Sequence, residues 1–243
     1  MKQAFANDPV FVLYDSTRKP WSCLYPVSNL FIVNSDVCKQ DNPLHQSSYQ
    51  TVESSLMLLY KYVQENNISF DYLYLIEYDV YCPGNWFTTF QKIDKIKPFD
   101  FAATHVEPYH AKQNGGWHFW KNPGWQTADE HSHLLEKKKD KRFWWKSFFP
   151  VTVYSNTFLS IFQNRYYGQL TGYCEILFPS VAFWEGCKIV NLPSNMIGSI
   201  YRFDRAVSNI KGTDNRLYHP VRELSQQILE EKLDKLAASI QSI

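Results

Sequence analysis

The chain predicts a single α/β domain with a mostly parallel central sheet flanked by helices, and three observations carry that prediction. Its 243 residues suffice for one domain that buries roughly 70% of its unfolded surface. Short apolar, β-rich runs are interspersed with stretches of helical period. The run Tyr72–Ile76 has no polar alternation, as expected of a strand covered on both faces. No repeat, low-complexity tract or linker divides the sequence, so residues 1–243 read as one unit.

Val10–Tyr14 and Asn29–Asn34 predict the first two strands, each ending in polar turn residues. From Ser47 to about Glu65, Tyr49, Val52, Leu56, Leu59, Tyr60 and Val63 recur at three- and four-residue steps, which predicts a helix capped by Ser47 or Ser48. Asn66 and Asn67 break it before the strand Tyr72–Ile76. Another strand is expected over Phe99–Thr104. A long aromatic and basic loop, about 107–146, follows without clear periodicity and carries KKKDKR at 137–142. Phe148–Tyr154 reads as a strand, and Ser155 or Asn156 caps a short helix through Phe162. Gly168–Gly172 reads as a turn. A helix over about Glu175–Glu185 tolerates Pro179 in its opening turn and ends at Gly186. Lys188–Leu192 is a short strand and Pro193–Val221 mostly irregular. An amphipathic helix at about 223–240 closes the chain, with Leu224, Ile228, Leu233, Leu236 and Ile240 on one stripe.

Composition excludes several function classes. Lys and Arg number 25 against 24 Asp and Glu, which argues against nucleic-acid binding through a broad basic surface. The amino-terminal stretch lacks the apolar core of a signal peptide, and no run approaches the roughly 20 apolar residues of a membrane span. A cytoplasmic protein is expected, with peripheral membrane contact left open. Five scattered cysteines, none spaced as C-x-x-C, indicate free thiols rather than a disulfide scaffold or zinc ribbon. Neither a P-loop nor a G-x-G-x-x-G fingerprint occurs, which counts against a kinase or dinucleotide enzyme. The motifs H-E-x-x-H and G-x-S-x-G are also missing.

The segment Asp71–Trp86, DYLYLIEYDVYCPGNW, is the most informative, because its apolar run ends in Glu77 and Asp79. Residues two apart on an extended backbone point the same way, so both carboxylates reach one hard cation and the oxygens it holds. They sit at the carboxyl end of a strand, where open α/β sheets place ligands. The bland reading is a strand returning to water. Later features are Glu175 in GYCEILFP and His219 in LYHPVR.

Taken in order, these three sites resemble the GT-A glycosyltransferase superfamily, which has an acidic D-x-D-type motif after a core strand, an acid at the start of a later helix and a histidine near the carboxyl terminus. The resemblance spans roughly Phe11–Arg222 in element order, and the phrases LIEYDVYCPGNW, FFPVTVYS, GYCEILFPSVAFWEG and YHPVR are similar to small bacterial and viral glycosyltransferase-like proteins. It implies a GT-A-like (Rossmann-like) domain that binds Mn²⁺ or Mg²⁺ and a nucleoside-diphosphate sugar. Asp79 would be the main metal ligand, Glu77 would support it or touch the donor sugar, and His219 would complete the set. Glu stands where the family usually has its first Asp. Glu175 would deprotonate the acceptor hydroxyl, with its charge at a helix N-terminus as the plainer explanation. The strand ends at Tyr14 and Asp15, and at Asn34 and Asp36, would cradle base and ribose, with Tyr78 and Arg222 as further donor contacts.

The implied activity is transfer of a sugar to a hydroxyl on a glycan or glycoconjugate. Two alternatives remain at this stage. A carbohydrate-binding module would use the aromatic loop Tyr109–Phe149, whose rings offer flat platforms to sugars, although core filling is the commoner fate of any single ring. A glycosidase would pair Glu77 or Asp79 with Glu175.

Overall fold

The computed structural model describes residues 11–15, 30–33, 35–44, 51–109, 123–128, 132–202, 210 and 213–221. They form a mixed α/β structure in which antiparallel and parallel strands share the central sheet. Strands β1 (Val12–Asp15) and β2 (Leu30–Val33) pair in parallel, from Val12 beside Leu30 to Asp15 beside Val33. Helices α1 (Ser35–Asp41) and α2 (Thr51–Glu65) follow, then β3 (Tyr72–Ile76), α3 (Trp86–Asp94) and β4 (Phe101–Pro108). Strand β5 (Gln126–Thr127), α4 (Ser132–Lys139) and a 3₁₀ turn at Lys141–Phe143 lead into the long β6 (Trp145–Ser155). The chain continues through α5 (Asn156–Arg165), β7 (Leu170–Thr171), α6 (Cys174–Trp184), β8 (Ile189–Asn191), β9 (Ile197–Tyr201) and β10 (Leu217–His219).

The central sheet has the order β3-β6-β4-β8. Strand β6 runs antiparallel to both neighbours, while β4 and β8 pair in parallel. Two of its three pairings are thus antiparallel, so the sheet is mixed where a mostly parallel one was expected, although β3, β4 and β8 run one way and β6 against them. Side chains alternate as the pleat requires. Leu73 and Leu75 pack into a cluster with Tyr154, Phe158 and Phe178 beside α5 and α6. Tyr72, Tyr74 and Ile76 pack the other way, against Val151, Val153, Phe90 and Ile93. Phe178 touches Phe149, Tyr154, Phe158 and Phe162, and truncating such a ring to alanine costs about 3–5 kcal/mol.

Several helices arise where the sequence reading expected turns or loop or assigned no element. Helix α1 begins at Ser35 with Asp36 in its first turn, so Asp36 is helical rather than a turn residue. Helix α3 is capped by Asn85, whose side chain accepts from the Thr88 amide, and buries Thr89, Phe90 and Ile93. That three-to-four-residue spacing was present but hidden behind Pro83 and Gly84. Part of the expected loop at 107–146 is ordered: β4 extends to Pro108, and the Leu-Leu-Glu-Lys run forms α4, anchored by buried Leu134. These are good helix formers even without a clean apolar stripe. The expected irregular region at 193–221 contains the parallel pair β9 and β10.

Ser155 caps α5 by accepting from the Phe158 amide. Gly186, at φ +65°, ends α6 in the left-handed region open to glycine. The expected helix at 223–240, Asn34, Arg222, and the segment 45–50 that includes the caps Ser47 and Ser48 lie outside the described residues.

Candidate metal centre

The acidic motif is shaped by backbone hydrogen bonds immediately after β3. The Glu77 amide donates to the Pro150 carbonyl at 2.8 Å, the last tie to β6. The Val80 amide then donates back to the Glu77 carbonyl at 3.2 Å, closing a tight turn over 77–80. Glu77 and Asp79 thus converge through a turn and not through the extended-strand alternation expected from sequence. The outcome is the same, but the geometry differs. Tyr78, between them, is 93% exposed and projects into solvent beside the two carboxylates.

His219 arrives from β10 by a matching set of bonds. Tyr81 and Tyr218 exchange backbone hydrogen bonds at 2.9 Å in each direction, and the Val221 amide donates to the Asp79 carbonyl at 2.9 Å. These contacts bracket residue 219. The imidazole packs edge-on against Phe148, with centroids 5.4 Å apart, and lies 6.0 Å from the Tyr201 ring. Its Nδ1 lies 3.0 Å from the Arg202 carbonyl. A carbonyl only accepts, so Nδ1 carries the proton and Nε2 faces the acids.

Nε2 lies 3.2 Å from Glu77 Oε2 and 3.2 Å from Asp79 Oδ1. One donor atom from each of Glu77, Asp79 and His219 falls within 4.8 Å of the others, so this largely buried group is able to hold a metal ion. Burial lowers the His219 pKa, but hydrogen bonds to Asp79 and Glu77 outweigh it and lift it from 6.5 to about 9. Glu77, Asp79 and Nε2 of His219 would hold a cation, which would compete with that proton for the imidazole.

No protein-family model matches this chain, and no curated protein matches it. The residues themselves therefore carry the functional argument.

Glu175 stands in the first turn of α6, where helix-terminal amides favour negative charge. It is partly buried, and the Cys174 thiol donates to its Oε2 at 3.3 Å. Burial raises its pKa, its own backbone amide and the Cys174 thiol lower it, and the charge of Glu77 raises it further. Glu77 also acts on the buried Cys174 thiol, which burial holds well above its ordinary value. Glu175 thus feels the charge of Glu77, although it is not one of the three candidate ligands.

The remaining predicted contacts are placed more coarsely. The backbones of Tyr14 and Asp15 close β1, side by side with the end of β2, and Asp36 is exposed on α1. Much of the aromatic segment serves the core, the commoner fate expected of its single rings: Trp125, Trp144, Phe148 and Phe149 are buried. Core packing outcompetes ligand display for rings with neighbours of their own kind, as in the Trp125–Trp144 stack at 5.8 Å.

Two contributors escaped sequence reasoning. Lys92 donates to the carbonyls of Asn195 at 2.9 Å and Asn215 at 2.5 Å, tying α3 to the segments that enter β9 and β10. Gly84 lets the chain at 213–215 approach closely, since a Cβ there would lie 2.5 Å from the Asp214 carbonyl and 2.7 Å from that of Thr213. A reading of α3 from its Asn85 cap would have placed Lys92 in the last turn of that helix.

Proposed function

We propose that the chain is a metal-dependent glycosyltransferase that moves a sugar from a nucleoside-diphosphate donor to a hydroxyl of a glycan or glycoconjugate. The observation that carries this reading is the meeting of Glu77, Asp79 and His219, from segments about 140 residues apart, within 4.8 Å. Three strands running one way in the central sheet, with the acids just beyond the carboxyl end of one of them, support it further.

Glu77 and Asp79 offer hard oxygens and His219 an imidazole nitrogen, a mixed set that suits Mn²⁺ at least as well as Mg²⁺. When bound, the divalent cation supplies Lewis-acid stabilisation of the pyrophosphate leaving group. In the net reaction the acceptor oxygen bonds to the anomeric carbon, the bond from that carbon to phosphate breaks, and the acceptor proton passes to Glu175. The raised pKa of Glu175 brings it nearer the range in which a general base is effective. Tyr78 presents an open ring beside the centre, a surface for stacking against the base or sugar of the donor. Tyr14 and Asp15 at the end of β1, with Asp36 in the first turn of α1 just after β2, are the proposed nucleotide cradle.

The test is a panel of UDP-, GDP- and dTDP-linked sugars with Mn²⁺, scored by release of nucleoside diphosphate. The proposal expects metal-dependent release from at least one donor. Sugar release from a simple glycoside without nucleotide would contradict it and point to a hydrolase built on Glu77 or Asp79 with Glu175.

A further inference from the structure

Two phenylalanines stand out of the protein where the 3₁₀ turn meets the end of α6. Phe143 is 38% exposed and Phe183 is 40% exposed. The Trp184 indole donates to the Phe143 carbonyl at 2.7 Å, and Trp145 stacks on Phe183 with centroids 5.3 Å apart. The two exposed rings are therefore held by segments locked to each other.

Cations surround them. Residues 136–142 carry five Lys or Arg against two acids, a local net of +3 in a chain whose overall net is +1. The Lys137 ammonium lies 5.5 Å over the Trp184 ring, and that of Lys141 lies 5.2 Å over Tyr109 and 5.4 Å over Trp144. Lys139 is exposed. Asp140 pairs with Arg142, Glu107 pairs with Lys146, and Glu185 with Arg165, so three nearby acids are matched and Glu136 is exposed.

We propose that this aromatic and basic face docks on an anionic lipid bilayer. Lysines and arginines meet lipid phosphates at the surface, while aromatic side chains settle at the headgroup boundary. A soluble polyanion would be served by the cations alone and gives no reason for Phe143 and Phe183 to face solvent. The register of the sheet adds a second argument. Ile76 pairs with Val151, and β6 continues from there back to Trp145, beyond the carboxyl end of β3. The docking face and the acidic centre thus lie off the same end of the sheet, the stretch of β6 from Val151 to Trp145 spanning roughly 20 Å. A bilayer under this face would lie near an acceptor carried by lipid. The docking surface does not depend on the transferase reading, and its test uses neither metal nor nucleotide.

The experiment is flotation of the whole chain with vesicles of phosphatidylcholine alone or mixed with phosphatidylglycerol. Flotation is expected only with the mixed vesicles and is lost at high salt. Lys139→Glu should weaken it at least about fivefold, the worth of one cation near such a surface. Phe143→Ser with Phe183→Ser should weaken it roughly tenfold or more, with an unchanged circular dichroism melt showing that the fold persists. Equal flotation on pure phosphatidylcholine, or none on either vesicle, overturns the proposal. So does binding that dextran sulfate abolishes while the phenylalanine variants float like the parent, because that marks a polyanion site.

Discussion

His219 Nε2 and Asp79 Oδ1 sit 3.2 Å apart although 140 positions separate them. The Val221 amide reaches the Asp79 carbonyl, and the Tyr81–Tyr218 bridge lies on the other side of the imidazole. The strand carrying the histidine is thus clamped directly to the turn carrying the acids. His219→Ala should lower Mn²⁺ affinity by more than about 100-fold, since even outer partners of metal ligands are worth 10–100-fold. Isothermal titration calorimetry reads the change. An unaltered affinity would remove the histidine from the site.

Glu175→Gln separates binding from chemistry. The amide keeps the size of the side chain but does not serve as a proton acceptor at neutral pH. Turnover should fall by roughly 10² to 10⁴ while affinity for Mn²⁺ and donor stays within a few-fold. Steady-state kinetics on an active donor, beside calorimetric binding, provide the comparison. Full activity in this variant would restrict Glu175 to favouring the start of α6.

Gly84→Ala should disturb the site from outside it. The added methyl meets the backbone carbonyls of Thr213 and Asp214 and the side chain of Asn215, which also accepts from the Asn85 amide at 2.6 Å. Backbone yields poorly, so a stability loss of about 1–3 kcal/mol is expected in urea unfolding. Metal affinity should weaken with it, because residues 213–215 lead directly into β10. A neutral outcome would show that this approach is not what positions His219.

Glu53 predicts a pH dependence of stability. It is fully buried on α2, accepting from the Thr171 hydroxyl at 2.6 Å and from Asn42 Nδ2 at 3.3 Å. Burial pushes its pKa from 4.5 up to about 8, against smaller opposing hydrogen bonds from Thr171 and Gly172. Between those values the native state holds a proton that the unfolded chain has released, so its contribution to stability falls as pH rises and levels off above about 8. The slope is up to about 1.4 kcal/mol per pH unit. Glu53→Gln should flatten the profile of denaturant midpoints between pH 5 and 8, and an unchanged slope would refute this assignment.

Much of this architecture was legible from periodicity and caps. The run Tyr72–Ile76, the Ser155 cap and the Gly186 stop all lie where the residue pattern puts them, because each depends on local chemistry. Helix α3 and the β9–β10 pair were not, for a different reason. The pair sets Leu217 beside Ile197 and His219 beside Tyr201, and β10 is further tied to the turn at 79–81 by the Tyr81–Tyr218 and Val221–Asp79 hydrogen bonds, contacts that no local pattern encodes. Glu77, Asp79 and His219 could be nominated by residue type, but their approach to one point is a tertiary fact. The aromatic segment fits the plainer of its two sequence readings: core filling is the commoner fate of any single ring, and Trp125 and Trp144 are buried and stacked on each other.

The most direct test is an electron paramagnetic resonance titration of free Mn²⁺ against the parent chain and Asp79→Ala. The account predicts one saturable site per chain in the parent and none in the variant, with matching circular dichroism spectra. Equal Mn²⁺ uptake by both proteins, or no saturable uptake by the parent, would contradict the metal centre.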